Sequence, residues 1–384
     1  MKSDSKIVIA KTDAEIQAFR KIWLQWQYHP DGDIDNFLLL SKTRDDIIRP
    51  HVIAFIKQGE LRALVVGRIE RSREHLKLGY KAVRGPLLTS LVIPYGGILG
   101  DLSDNLPSVI LEKLLGEIRE ENVDRLKFHY LAEGSSMLGA VVGARRAFWQ
   151  AHLEPWTPHW QLTIPADIKT FWSKLSKNHR HFLRRIANAL EREHPGRIRY
   201  EDANQETQVG RVCEEVEGIA QQTYLRGMSE GFISDRAHIE RLVLAARNNR
   251  FRAYLLYIDD IPGSYLLGPV YNKTFYGAYI GYDPRYRKYD IGQLVLVHAI
   301  ESLSKEGIER FDFGFGTAFY KERFGDAIWR ERSVALYAPS FKSAVFVTTM
   351  KMAERVTDLT KRLLNNAGLI TALKRRWRRR LTKG

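Results

Sequence analysis

The feature that most constrains this chain is an order of elements that it spells twice. Between Lys6 and Leu131 the apolar pattern predicts a strand (KIVIA), a helix (DAEIQAFRKIWLQWQ), a strand (HVIAFI), a turn (KQGE), two strands (LRALVVGRI, VIPYGGIL), a helix (SVILEKLLGEIREE) and a strand (RLKFHYL). Between Arg197 and Ala338 the order returns. It runs strand (RIRYED), two helices (VGRVCEEVEGIAQQTYLR, RAHIERLVLAARNN), strand (RAYLLYI), turn (DDIPG), strand (SYLLGPVY), turn (NKT), strand (FYGAYIGY), helix (IGQLVLVHAIESLSKEG) and two strands (RFDFGF, RSVALYA). Neither half holds a regular short repeat, so the pattern predicts a duplicated α/β domain and not a solenoid. At 384 residues the chain has room for two cores. The expected organisation is two tandem α+β domains, 1–155 and 156–339, each a mixed sheet flanked by helices, with a helical basic tail at 340–384.

An apolar fraction of 44% and a charged fraction of 27% exclude a collagenous, mucin-like or wholly disordered protein. Cys213 stands alone, which excludes an intrachain disulfide and a cysteine-rich zinc site and fits a reducing, cytoplasmic setting. The uncharged stretch from Gly85 to Gly100 is too short to span a bilayer and is broken by Pro86 and Pro94. The opening MKSDSKIVIAKTD lacks the apolar segment of a signal peptide. These features predict a cytoplasmic protein, soluble or peripheral on the inner face of a membrane.

Of the net charge of +15, nine Lys or Arg and no acid lie between Lys361 and Gly384. There Ile370, Leu373, Trp377 and Leu381 make an apolar stripe among Lys374, Arg375, Arg376, Arg378, Arg379 and Arg380, a basic amphipathic segment that suits an anionic membrane surface. A helix beginning near Ser340 carries Val345, Met352, Val356, Leu359 and Leu363 at helical spacings, and the linking segment Trp156 to Glu193 carries Phe171, Leu175, Phe182, Ile186 and Leu190 likewise.

Two stretches carry the candidate chemistry. The loop YDPRYRKYDIGQ sets Arg285, Arg287 and Lys288 before a helix that opens at Asp290, Ile291, Gly292 and Gln293, and the free N–H groups of a helix start attract phosphate. The bland alternative is a surface turn with Asp290 as helix cap. Downstream, DFGFGTAFYKERFGD puts Asp312 inside a strand, where a carboxylate needs a partner, and brings Tyr320 and Lys321 close after the flexible Gly314 and Gly316. Here the alternative is a structural Asp312 paired with Lys321. Asp312, Tyr320 and Lys321, a carboxylate, a phenol and an amine on one short segment, are the candidate catalytic residues. Tyr224 and Arg226, in QQTYLRG, are candidates for the acceptor cleft by position. His298 is expected to be a hydrogen-bonded core residue. No HExxH or carboxylate-rich cluster occurs, and no metal is expected.

GYDPRYRKYDIG, FDFGFG and YKERFGD together resemble the GNAT-superfamily acetyltransferase family that includes cellulose-biosynthesis-associated proteins and is related to the Fem peptidyltransferases. The resemblance covers Ser173 to Ala338, and the N-terminal half shares only the element order. It implies two GNAT-like domains, the first degenerate, and acetyl-CoA or a longer acyl-CoA as co-substrate. The superfamily's pyrophosphate loop falls on Arg287, Asp290 and Gly292, with Asp290 where a glycine is usual. For an amine attacking a thioester the resemblance implies Asp312 as the base, Tyr320 as the acid for the leaving thiolate, as a tyrosine of this region serves in many members, and Lys321, which matches a lysine of the Fem relatives, for the oxyanion or an acceptor phosphate. The implied function is acyl transfer from coenzyme A to an amine or hydroxyl of a cell-envelope precursor, such as an amino sugar of a glycan or a sphingoid-type lipid. The alternatives are a Fem-like transferase using aminoacyl-tRNA and a non-catalytic envelope-assembly module.

Overall fold

The computed structural model describes residues 5–78, 81–144, 151–223 and 231–366. The described residues divide into two compact units, one of those within 5–156 together with 330–366 and the other of those within 157–329.

The N-terminal unit runs β1 (Ser5–Ala10), α1 (Asp13–Gln17), α2 (Arg20–Trp26), α3 (Ile34–Thr43), β2 (Ile47–Lys57), β3 (Glu60–Leu78), β4 (Lys81–Ile93), β5 (Ile98–Gly100), α4 (Leu106–Glu120), β6 (Arg125–Ala132), α5 (Ser136–Ala144) and β7 (Ala151–Leu153). Strands β1 to β4 form an antiparallel run, joined at β2 and β3 by a turn in which Gln58 and Gly59 both have positive φ, as a two-residue hairpin requires. Strand β6 then joins β4 in parallel, from Ser90–Arg125 to Ile93–Phe128. Alternation along β2 separates two cores: Ile53 and Phe55 pack with α4 and α5, and Val52 and Ala54 with Trp23 and Phe37 of α2 and α3.

The C-terminal unit runs β8 (Thr157–Thr163), α6 (Ile168–Lys174), α7 (Lys177–Glu193), β9 (Ile198–Ala203), α8 (Glu206–Ala220), α9 (Arg236–Arg247), β10 (Phe251–Ile258), β11 (Ile261–Tyr271), β12 (Thr274–Tyr276), β13 (Tyr279–Tyr282), α10 (Ile291–Lys305), β14 (Arg310–Phe315) and α11 (Phe319–Phe324). Its sheet order is β8-β14-β12-β11-β10-β9, with β13 also on β11. Strand β10 is buried at every position because both faces are covered. Tyr254, Leu256 and Ile258 pack with α7 and α10, while Phe251, Ala253, Leu255 and Tyr257 pack with α8 and α9. The turns at Asp259–Asp260 and Asn272–Lys273 again have positive φ at both residues.

Three features differ from the sequence-based expectation. The segment after Trp156 opens as β8 rather than as helix, and the helix expected through Glu193 is two, parted where Leu175 turns extended and Ser176 caps α7 by accepting from the His179 N–H. Strand β3 runs beyond the pattern LRALVVGRI, β4 lies mostly ahead of VIPYGGIL in a stretch not expected to be strand, and VIPYGGIL itself is divided by a turn at 94–97 between the end of β4 and β5. Strand β15 (Ala327–Tyr337) pairs antiparallel with β6 and β7, so from Arg330 on the chain belongs with the N-terminal unit. Helix α12 (Phe341–Asn366) follows and sets Phe346 and Val347 against Leu88 and Tyr337. The basic segment beyond Asn366 lies outside the described residues, as do Tyr224 and Arg226. None of the described helices is long and apolar enough to cross a membrane.

Candidate active site

In the C-terminal unit β12 and β14 run parallel through Thr274–Arg310, Phe275–Phe311 and Tyr276–Asp312. Beyond that point they part: β13 pairs with β11, and β14 continues along β8. A fork at the carboxyl ends of parallel strands is where an open α/β sheet leaves room for a ligand. Asp312 is the last paired residue before the fork, and its carbonyl accepts from the Gly277 N–H at 2.9 Å.

Asp312 is 6% exposed. Its carboxylate faces His159 of β8, whose Nε2 lies 2.7 and 2.9 Å from the two oxygens, and it also accepts from the Gly314 N–H at 2.7 Å. A carboxylate only accepts, so Nε2 carries the hydrogen that faces it. A bulge between Asp312 and Gly314 breaks the β14–β8 register here, and bulges re-aim side chains. His159 is buried, stacked on Trp329 at 4.3 Å with Phe315 edge-on at 4.6 Å.

Lys321 does not pair with Asp312. Its Nζ donates to the carbonyls of Phe315 at 2.6 Å and Gly314 at 3.3 Å, fastening α11 to the end of β14. Burial pushes its pKa down to about 8, and the nearby Asp312 charge opposes only part of that shift. Tyr320 is half-buried, with its ring edge-on to Phe313 at 6.0 Å. Asp312 and Lys321 thus share one neighbourhood, as the sequence suggested. His159 is the member that the sequence did not reveal.

At the start of α10, Asp290 adopts φ 49° and ψ 40°, and its carboxylate accepts from the Gln293 side-chain amide at 2.5 Å instead of from a backbone N–H. Ile291 and Gln293 are buried, so these two residues face the interior, and what they present to a phosphate is backbone N–H. Gln293 Oε1 lies 3.4 Å from His179 Nε2, and burial lowers the His179 pKa. A Cβ added at Gly292 would meet nothing closer than Tyr282 Cδ1 at 3.4 Å, so the helix start is open on that side. Two of the loop cations are engaged: Arg285 binds Asp283 at 2.6 Å and Lys288 binds Glu193 at 2.5 Å. Arg287 is exposed and makes no ion pair among the described residues. His298 is half-buried, with Nε2 2.5 Å from Asp202 and its ring stacked on Tyr200.

In the N-terminal unit His51, Glu117 and Glu121 lie close enough to share a cation. Cationic side chains already hold both carboxylates: Lys113 binds Glu117, and Lys11 and Arg49 bind Glu121 at 2.6 and 2.5 Å. Burial would raise Glu117, but the hydrogen bonds of His51 and Lys113 hold it at about 2.

Residues 177–322 match the family model described as acetyltransferase (GNAT) domain. No curated protein matches the chain. Among solved structures, FemX superposes with a TM-score of 0.55 at 12% identity, covering 87% of this chain and 97% of its own. The C-terminal domain (DUF2156) of an Agrobacterium fabrum protein assigned as a lysylphosphatidylglycerol synthetase superposes with a TM-score of 0.52 at 13% identity, covering 88% of this chain and 96% of its own. At such identity the likeness is one of fold, and it extends over both units. Residues 177–322 thus carry an acetyltransferase (GNAT) domain, and the chain shares its fold with FemX.

Proposed function

We propose that the C-terminal unit transfers an acyl group from an acyl-CoA thioester to an amine or hydroxyl of a cell-envelope precursor. The observation that carries this reading is the convergence of Asp312, His159 and Lys321 at the strand fork. The backbone N–H groups at the start of α10, beside the open face of Gly292, suit a pyrophosphate. The acceptor nitrogen or oxygen gives its proton to the Asp312–His159 pair as it attacks the thioester carbonyl. Lys321 offsets the charge that develops on the carbonyl oxygen, and the Tyr320 phenol protonates the departing thiolate. Envelope acceptors sit at or near a membrane, and the basic segment at the C-terminal end supplies about 1 kcal/mol per Lys or Arg near an anionic surface. Co-sedimentation with anionic vesicles, lost on deleting Lys374–Gly384 and on raising the salt, tests that part.

A second reading is a Fem-like transfer from aminoacyl-tRNA. Two observations favour it: the pairing of Arg285 and Lys288 to acids, which weakens the loop as a phosphate clamp, and the exposed Phe319 with Arg323 3.8 Å above its ring, a surface suited to a stacked base. A thermal-shift panel of acetyl-CoA, longer acyl-CoAs and aminoacyl-tRNA separates the readings. A donor at a hundred times its Kd adds about 2.7 kcal/mol of stability. Stabilisation by acyl-CoA alone supports the first reading, and stabilisation by aminoacyl-tRNA alone overturns it.

A further inference from the structure

Helix α12 has two apolar faces. It buries Ser343, Phe346, Val347 and Ala353, at 0, 4, 1 and 7% exposure, and these residues recur at the spacing of one helix face. Phe346 and Val347 pack with Leu88, Ala335 and Tyr337, and the Ser343 hydroxyl donates to the Asp124 carbonyl at 3.3 Å. These contacts fix α12 to the body of the N-terminal unit.

A helix held by one face ordinarily turns polar residues to the other. Phe341, Val345 and Met352 stand there instead, 87, 49 and 61% exposed. At about 100° of turn per residue they fall, with the exposed Thr348, in one narrow sector nearly opposite the buried face, about 17 Å long. Phe341 opens the helix directly after Ser340, whose hydroxyl accepts from the Ser343 N–H at 3.1 Å. That cap holds the first turn helical, so an ordered backbone presents the Phe341 ring to solvent.

Cations border the stripe. Lys351 and Arg355 are exposed along one side of it, and Lys342 lies along the other, half-exposed and bound to Asp124 at 2.8 Å. The two acids of the helix, Glu354 and Asp358, fall by helical position outside the stripe. In sequence the helix leads toward Lys374 to Gly384, where seven of eleven residues are Lys or Arg.

An apolar stripe edged by Lys and Arg suits a helix lying in the interface of an anionic bilayer, with its apolar side chains among the acyl chains and its cations at the headgroups. A second copy of the chain suits it less, because stripe against stripe sets Lys342, Lys351 and Arg355 beside cations of their own kind. We propose that the exposed face of α12, carried by Phe341, Val345 and Met352, docks the N-terminal unit on an anionic lipid surface. The docking rests on the reading of an acceptor at a membrane, and not on the choice of acyl donor. It adds an inserted contact on a folded helix to the charge of the basic segment.

Sedimentation of the full chain with vesicles of phosphatidylcholine, with and without phosphatidylglycerol, tests this. The wild type should bind the anionic vesicles in preference to the neutral ones. Phe341→Ser combined with Met352→Ser, at two exposed positions, should weaken that binding about tenfold. A solvent-sensitive dye on Val345→Cys reads insertion directly, since Cys213 is buried, and its emission should move to shorter wavelength with anionic vesicles. The proposal is overturned by wild-type vesicle affinity in the double variant, by unchanged emission from vesicle-bound labelled protein, or by a dimer in solution that the double variant dissolves, which makes a second copy the occupant. Each of these leaves the basic segment as the attachment, whereas a wild type that binds no vesicle removes the membrane placement of the acceptor as well.

Discussion

His159 Nε2 lies 2.7 Å from one carboxylate oxygen of Asp312 and 2.9 Å from the other, and both residues are buried at the point where β12 and β14 separate. An unpaired charge at that depth would cost several kcal/mol, so each residue requires the other. If the pair accepts the acceptor's proton, Asp312→Asn should lower turnover by roughly two to four orders of magnitude while donor affinity holds. Steady-state rates beside donor titrations measure this. Unchanged turnover in a folded variant would make the pair purely structural.

Lys321 ties stability to pH. Its folded pKa is about 8 against an ordinary 10.5, so between those values the unfolded chain holds a proton that the folded chain has released. Stability therefore rises with pH across that window, by at most about 3 kcal/mol, and the penalty is fully present below pH 8. Urea midpoints at pH 8 and pH 10.5 should show this rise in the wild type relative to Lys321→Met. Equal changes in the two proteins would mean that Lys321 titrates normally.

Asp290 holds a left-handed conformation that glycine adopts freely. Asp290→Gly should stabilise the fold by about 0.5–1 kcal/mol, partly offset by losing the contact with Gln293, and should leave acyl-CoA affinity equal or higher. Denaturant melts and donor titration check both. Weaker donor binding would give the carboxylate a positive role at the helix start.

Much of this fold is legible in local chemistry. Asp259–Asp260 and Asn272–Lys273 announce hairpins because their residues tolerate positive φ, and α10 declares its buried face through Ile291, Leu294 and Val295. Pairing partners are not local. RSVALYA reads as a strand, but nothing in it says that it pairs with β6 rather than extending the second domain. TPHWQLT is short and half-polar, so β8 went unread, and with it His159, which reaches Asp312 only through the β8–β14 pairing. Asp312 and Lys321 were visible because a charge inside an apolar strand and a lysine nine residues on stand out in the sequence itself. The engagement of Lys288 is hidden for the opposite reason: a cation run shows in the sequence, but its partner Glu193 lies on α7, far along the chain, whereas Arg285 pairs with its near neighbour Asp283.

The central claim is that an acyl-CoA binds where α10 begins. Calorimetric titration of acetyl-CoA and a long-chain acyl-CoA into the wild-type protein and Gly292→Glu tests it most directly. The added Cβ meets only Tyr282 at 3.4 Å, so the variant should fold while its charge occupies the phosphate position. Saturable binding of at least one acyl-CoA to the wild type, lost in Gly292→Glu, is the predicted result. No binding of either, or equal binding to a folded Gly292→Glu, would contradict it.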